Sequence, residues 1–495
     1  MDPRPLNILM VSPEAVPFAK TGGLADVAGA LPKELAKLGH RVCLVIPGYD
    51  TIDWATQGFK EWRRLTVPTA LGPIEAVIEQ ATLANSGVQV LAVRYDPFFA
   101  RPGLYQEAGR SYPDNLERFA FFSRAVPELI VALKQERGWV PDLLHAHDWQ
   151  TALGIVYLRT LYSGQKPCQG IATIFTIHNM GYQGRFPAAD YWKTGLSPEL
   201  FTPKRLEFYG QLNVLKGGLV FADYLTTVSP TYAREIQTAA LGFGLEGVIQ
   251  ERQARMIGIV NGIDVDQWNP ATDPYVPARY SATDLAGKMI CKDGLQREMG
   301  LPVRDVPLIG IVSRLTEQKG LDLVADVLPD LMKMDVQVTL LGTGDPSLEA
   351  RFRTLRTRTS KKIGLRIGFD EGLAHRIEAG SDLFLMPSRY EPCGLSQLYS
   401  LRYGTVPVVR RTGGLADTVT PYSSDAVKQG QATGFLFDEP TKAALLTTVL
   451  QALRVYGQKD EWTALILAGM GTDVSWAKSA RAYVDLYRRV VGMKP

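Results

Sequence analysis

The sequence predicts an α/β protein made of two doubly wound parallel-sheet domains, and three observations carry that expectation. The chain has 495 residues, beyond the size at which one hydrophobic core stops growing. Short β-branched runs alternate with longer amphipathic stretches, the pattern of parallel strands joined by crossover helices. That pattern runs, breaks once, and starts again.

In chain order, strands are expected over residues 7–11, 41–46, 88–93, 142–145, 171–177, 224–228 and 256–260. A second series follows over 307–312, 337–341, 365–367, 382–386 and 406–409. Between them, residues 264–305 are rich in Pro, Asp and Tyr before turning helical, which suits a domain connection and places the hinge there. The expected domains are therefore 1–263 and 264–474, with a last helix in 475–495 packing back on the first domain.

Composition excludes several classes. With 46% hydrophobic and 21% charged residues and a net charge of +3, the chain reads as an ordinary globular protein. It has no dense basic run or basic-aromatic stripe, so nucleic acid is not expected as a partner. Apolar runs are too short to span a bilayer, so no membrane is expected either. Cys43, Cys168, Cys291 and Cys393 lie far apart with no Cys-x-x-Cys pair. That spacing, and a start that leaves no room for a signal peptide, point to the cytoplasm, or to the plastid stroma if a transit peptide has been removed.

In open α/β sheets ligands sit beyond the carboxyl ends of the strands, and the loops there carry the unusual residues. Thr21-Gly22-Gly23-Leu24-Ala25-Asp26 recurs residue for residue as Thr412-Gly413-Gly414-Leu415-Ala416-Asp417, each copy between a strand and a helix. With Lys20 before it, the first copy offers a close-approaching backbone and helix-start N–H groups suited to a diphosphate. It lacks the spacing of a P-loop, and Gly342-Thr343-Gly344 lacks the third glycine of a dinucleotide fingerprint. Arg314 and Lys319 put two cations in one strand-to-helix loop, where fixed positive charge stabilises a departing diphosphate. Glu391, held by Pro392 beside a helix start, is placed to grip sugar hydroxyls.

Three of the five histidines sit at two strand ends, His145 and His147 before Asp148, and His178 before Asn179. No further spacing completes a metal site, so a sugar-binding or orienting role is expected, with one of the pair free to be a satisfied core histidine. Asp264-Val265-Asp266 is the sole Asp-x-Asp. It lies in the connection and is read as structural, because Arg314 and Lys319 already supply the charge a metal would bring.

With these motifs in hand, the chain closely resembles the bacterial and plant glycogen/starch synthase family, the ADP-glucose enzymes of the GT-B fold. The resemblance runs from Ile8 to about Tyr487. It rests on Lys20-Thr-Gly-Gly-Leu24, His145-Ala-His-Asp-Trp149, Thr176-Ile-His-Asn179, Val228-Ser-Pro-Thr-Tyr232, Val260-Asn-Gly-Ile263, Ser313-Arg-Leu with Gln318-Lys-Gly320, Pro387-Ser-Arg with Glu391-Pro-Cys-Gly-Leu395, and Arg410-Arg-Thr-Gly-Gly-Leu-Ala-Asp-Thr418. It implies two Rossmann-like domains facing each other across a deep cleft, and retaining transfer of glucose from ADP-glucose to the non-reducing end of an α-1,4-glucan.

The resemblance further implies that Arg314 and Lys319 bind the donor diphosphate, helped by Lys20 and the Gly22-Gly23 backbone. Glu391, Cys393 and Gly394 would line the glucosyl pocket, with His178, Asn179 and Asn261 on its other side. Gly342, Leu395, Thr412 and Gly413 would complete the donor site, and Asp26 would lie by the reacting centre. Glu14, Asp148 and Tyr105 fall on the acceptor side, where Gln150 departs from the histidine of many relatives. Neither cofactor nor metal is implied. No obvious nucleophile is present, so front-face attack within a closed, water-excluding site is the expected mechanism. The alternatives are a catalytically weak glucan-binding or priming protein on the same scaffold, and a GT-B transferase with another acceptor.

Overall fold

The computed structural model describes residues 4–107, 109–359 and 361–493; residues 1–3 and 494–495, the outer ends of the expected domains, lie outside them. The chain divides into two units. The first holds the residues up to Val228, Ala233–Ile259 and those from Trp476 on; the second holds Ser229–Tyr232 and Val260–Ser475.

The first unit is built on a nine-stranded sheet. From one edge, its order is Met256–Gly258, Tyr224–Thr227, Ala172–Ile177, Leu143–His147, Asn7–Val11, Arg41–Pro47, Gln89–Arg94, Gly72–Thr82 and Lys60–Thr69. The first seven pair in parallel. The last two form an antiparallel hairpin on the edge, which was not expected. The reason is physical: the parallel strands are buried on both faces and read as solid apolar runs, whereas the hairpin buries only alternate residues such as Leu65, Val67, Ala76 and Ile78. A small antiparallel sheet of Arg185–Pro187, Gln211–Asn213 and Glu207–Phe208 lies in the same unit.

The second unit carries a six-stranded, wholly parallel sheet in the order Ile363–Ile367, Gln337–Gly342, Leu308–Val312, Leu383–Met386, Val406–Arg410 and Phe435–Phe437. The two sheets share one construction rule. An aspartate just before a strand accepts an N–H at the start of the neighbouring strand: Asp142 from Asn7, Asp223 from Thr173 and Asp382 from Leu308, each at 2.8 Å. Each carboxylate thereby satisfies an end-of-strand donor that the ladder leaves unpaired.

In both sheets the order reverses at the first strand. After Asn7–Val11 the chain builds outward on one side and returns to Leu143–His147 on the other. Leu308–Val312 and Leu383–Met386 flank the matching point in the second sheet. Such reversals open a crevice at the carboxyl ends of the strands, the usual ligand position in this architecture.

The segment expected as a hinge is anchored instead in the second unit. Trp268 stacks on His375 (centroids 3.8 Å apart) and Tyr399 (3.6 Å), and Asp273 Oδ2 is 2.7 Å from His375 Nδ1. The crossings between units fall at Val228/Ser229, Tyr232/Ala233, Ile259/Val260 and Ser475/Trp476. The helix Trp476–Gly492 packs on the helix Gly23–Lys37 of the first unit.

Candidate active site

In the first unit, the loops after Val11 and His147 meet at the reversal. Glu14 is buried there, and its carboxylate accepts from Thr21 N (2.5 Å), Gly22 N (3.2 Å), Thr21 Oγ1 (2.6 Å) and the Tyr105 hydroxyl (2.7 Å). The helix-start N–H groups of the glycine loop are thus not free, as the sequence suggested, but donate to Glu14. Lys20 likewise has a partner, with its Nζ 2.7 Å from Asp26 Oδ1.

Asp148 occupies the other loop with a positive φ of 55°, a conformation costing a non-glycine residue about 1–3 kcal/mol. It is held there by its own N–H on Thr176 O (3.0 Å) and by its Oδ1, which accepts from His178 N at 2.7 Å. Burial pushes the Asp148 carboxyl up to about 7, against the pull of the His178 and Asn179 amides. Asn179 spends its side-chain oxygen on the turn, accepting from Gly181 N at 2.9 Å.

The histidines separate into two kinds. His145 is a satisfied core residue, with Nδ1 2.7 Å from the Tyr487 hydroxyl and Nε2 2.6 Å from Thr176 Oγ1. His147 Nδ1 lies 2.9 Å from His178 Nε2. Burial holds His145 and His178 down at about 3, and His147 well below the ordinary imidazole value. All three are neutral at physiological pH, so none is a cation for a diphosphate.

In the second unit, the loops after Val312 and Met386 meet at the equivalent point. Lys319 Nζ is 2.6 Å from Glu391 Oε2, which also accepts from Ser388 Oγ at 2.9 Å. The helix after Glu391 begins only at Ser396, so Lys319 and Ser388 fix this carboxylate, not a helix dipole. Ser388 was missed because a serine between a strand and a loop carries no sequence signal of its own. Arg314 is exposed in the same loop as Lys319.

The remaining donor candidates of this unit lie in its loops and helix starts. A Cβ on Gly342 would stand 1.9 Å from Ser313 O, so the glycine keeps two strand-end loops in contact. Gly394 has φ 76° and leads through Leu395 into the next helix. Gly414 N donates to Glu391 O (3.1 Å), and Thr412 stands at the N-cap of its helix without a side-chain bond to the cap N–H groups. Burial pushes the Cys393 thiol up to about 12, although the Asn261 amide pulls the other way; a buried thiol held protonated in this way is no nucleophile. Asn261 Oδ1 is buried with no partner among the described residues, an acceptor awaiting a donor.

Asp264 Oδ1 accepts from Asp266 N and Gln267 N at 3.0 and 3.1 Å, tying up the Asp-x-Asp turn. Among the described residues, no group of three or more His, Cys, Asp or Glu is placed to hold a metal ion. No described helix is long and apolar enough to cross a membrane.

Two families of sequence model match these units: the starch synthase catalytic domain over residues 7–251, and the glycosyl transferases of group 1 over 296–464. A glycogen synthase of Anaeromyxobacter dehalogenans is 49% identical over 98% of this chain and 99% of its own. The chain belongs to the glycogen and starch synthase family. The catalytic domain of starch synthase IV from Arabidopsis thaliana, solved with ADP and acarbose, shares the fold at a TM-score of 0.91 and 34% identity, over 99% of this chain and 100% of that one. Like its family, the chain is a GT-B glycosyltransferase that adds glucosyl units to a glucan. A sucrose-phosphate synthase from Thermosynechococcus elongatus covers 99% of this chain and 100% of its own at a TM-score of 0.61, but at 17% identity it shares the fold alone. Neither a dead priming scaffold nor another acceptor is favoured for a synthase with these relatives.

Proposed function

We propose that the chain transfers glucose from ADP-glucose to the non-reducing 4-hydroxyl of an α-1,4-glucan, with retention and without metal or cofactor. The observation that carries this reading is the Lys319–Glu391 pair at the reversal of the second sheet, with Arg314 in the same loop as Lys319. Loss of a nucleoside diphosphate builds negative charge on its oxygens, and fixed cations stabilise that charge most as the bond breaks. Lys319 and Arg314 supply it, and Glu391 meets the sugar hydroxyls while keeping Lys319 oriented. ADP in the Arabidopsis relative supports an adenine nucleotide.

Among the described residues no carboxylate stands out as a nucleophile matched to a second acid, so the acceptor hydroxyl attacks on the face the diphosphate leaves, and a leaving-group oxygen takes its proton. His178, neutral, contributes a hydrogen bond to the ligand. Glu14, Tyr105 and Asp148 serve the acceptor, and Lys20 with Asp26 the reacting centre. Four buried free cysteines support a reducing cytoplasm.

A donor competition between ADP-glucose and UDP-glucose, read on glycogen and maltoheptaose with and without chelator, tests the reading. ADP-glucose should be preferred and turnover should survive chelation. Preference for UDP-glucose, or activity lost to chelator and restored by Mg²⁺, would overturn it. Lys319→Ala should lower kcat by about 10²–10³, with glycogen affinity little changed.

A further inference from the structure

Next to His178 lies the other histidine of the pair. His147 is fully buried at the end of its strand, and its Nδ1 is 2.9 Å from His178 Nε2. Its other nitrogen, Nε2, is buried with no partner among the described residues. His178 is 9% exposed.

Which ring gives the proton follows from satisfying the groups. If His178 Nε2–H donated to His147 Nδ1, neutral His147 would carry its own proton on Nε2 and bury an orphaned N–H. If His147 Nδ1–H donates to His178 Nε2, only a lone pair is left without a partner. An orphaned donor is the rarer and costlier defect, so the second arrangement holds. It leaves the proton of neutral His178 on Nδ1. Burial keeps both rings neutral, in agreement with this count.

We propose that His147 is a positioning residue that locks His178 in the Nδ1–H tautomer, so that His178 meets the ligand as a hydrogen-bond donor and never as an acceptor or base. The proposal rests on the reading of His178 as a ligand-contacting residue. The lock is local. His145 only stacks on His147, with ring centroids 4.1 Å apart, and its own bonds run away to Tyr487 and Thr176. A proton relay from the last helix to His178 therefore lacks a link between the two rings.

Nitrogen-15 spectra of the histidine-labelled full chain, with only five histidines to assign, read the tautomer directly. His178 should be Nδ1–H in the wild type; Nε2–H there would overturn the proposal without any variant at His147. His147→Phe should mix the tautomers of His178 and lower kcat about tenfold while donor KM stays within about twofold. His147→Asn, whose amide N–H falls near the lost Nδ1–H, should restore most of kcat. Unchanged kcat in His147→Phe, or no rescue by asparagine, would count against the lock. Tyr487→Phe should leave kcat and the His178 signal unchanged; a shift in that signal would point to a relay. His178→Ala separates the two claims: full activity there would sink the ligand-contact reading, whereas its loss beside a normal His147→Phe would sink only the lock.

Discussion

The two copies of Thr-Gly-Gly-Leu-Ala-Asp have identical side chains and opposite surroundings. In the first, the N–H groups of Thr21 and Gly22 point at the carboxylate of Glu14. In the second, Gly414 N points at the backbone carbonyl of Glu391. Gly22 is extended, with φ −157° and open space where a Cβ would stand. Gly413 has φ 43°, and its Cβ would stand 1.9 Å from Glu391 O. A side-chain anion can swing away and yield its donors to a ligand; a main-chain carbonyl in a packed loop cannot. The first copy is thus equipped to exchange partners, and the second to hold the Glu391 loop still.

The largest break in that comparison should come from the glycines. Gly413→Ala combines a left-handed φ with a collision against backbone, and should destabilise the second unit by about 3 kcal/mol or more. Gly22→Ala, at the matching position, should cost within about 1 kcal/mol, the usual penalty of alanine at a helix N-cap. Denaturant unfolding of both variants measures the contrast, and equal losses would mean that the two loops are packed alike.

The aspartates should sharpen it at smaller scale. Asp417 accepts from Ser229 Oγ, Thr231 N and Thr231 Oγ1, so Asp417→Asn should lower stability by about 1 kcal/mol. Asp26 forms an ion pair with the half-exposed Lys20, and exposed pairs contribute little. Asp26→Asn should leave the melting temperature nearly unchanged and appear in the donor KM instead. A drop in stability equal to that of Asp417→Asn would refute the distinction.

The sequence could announce the loops but not their occupants. Strands buried on both faces are solid apolar runs, and the reversal between them dictates which loops meet, so Lys319 and Glu391 could be singled out as types in places. Nothing in the spacing of Glu14 and Thr21 says that one will cap the other, because that depends on how the intervening Ala15–Lys20 turn folds. The connection after Asp264 looked loose because its Pro, Asp and Tyr residues form no regular element. Its anchor, Trp268 between His375 and Tyr399, joins residues far apart in the chain. The tie from His147 to His178 likewise spans two strands that only the sheet order brings side by side.

The subtlest difference between the units is in their response to acid. The first holds four histidines, His40, His145, His147 and His178, each lowered chiefly by burial. For these, the unfolded chain binds more protons than the folded one between about 6.5 and the lowered values, so stability falls as pH falls through that window. Asp148 acts in the opposite sense: raised to about 7 by burial, it favours the fold at low pH and loses stability as pH rises through that value. Four groups against one leave a net loss on acidification. In the second unit, Asp330 is drawn down to about 2 by hydrogen bonds from Lys333 and Lys442, so its contribution is lost only below about pH 4, while burial raises the Glu378 carboxyl well above its ordinary value, so its contribution grows as pH falls. Calorimetry should therefore show the first unit's transition moving to lower temperature between pH 7.5 and 5, while the second unit's does not fall with it. A fixed first transition over that range would mean that these histidines titrate normally in the fold. His145→Gln, which cannot take up a proton, should flatten the dependence by about one proton if the account is right.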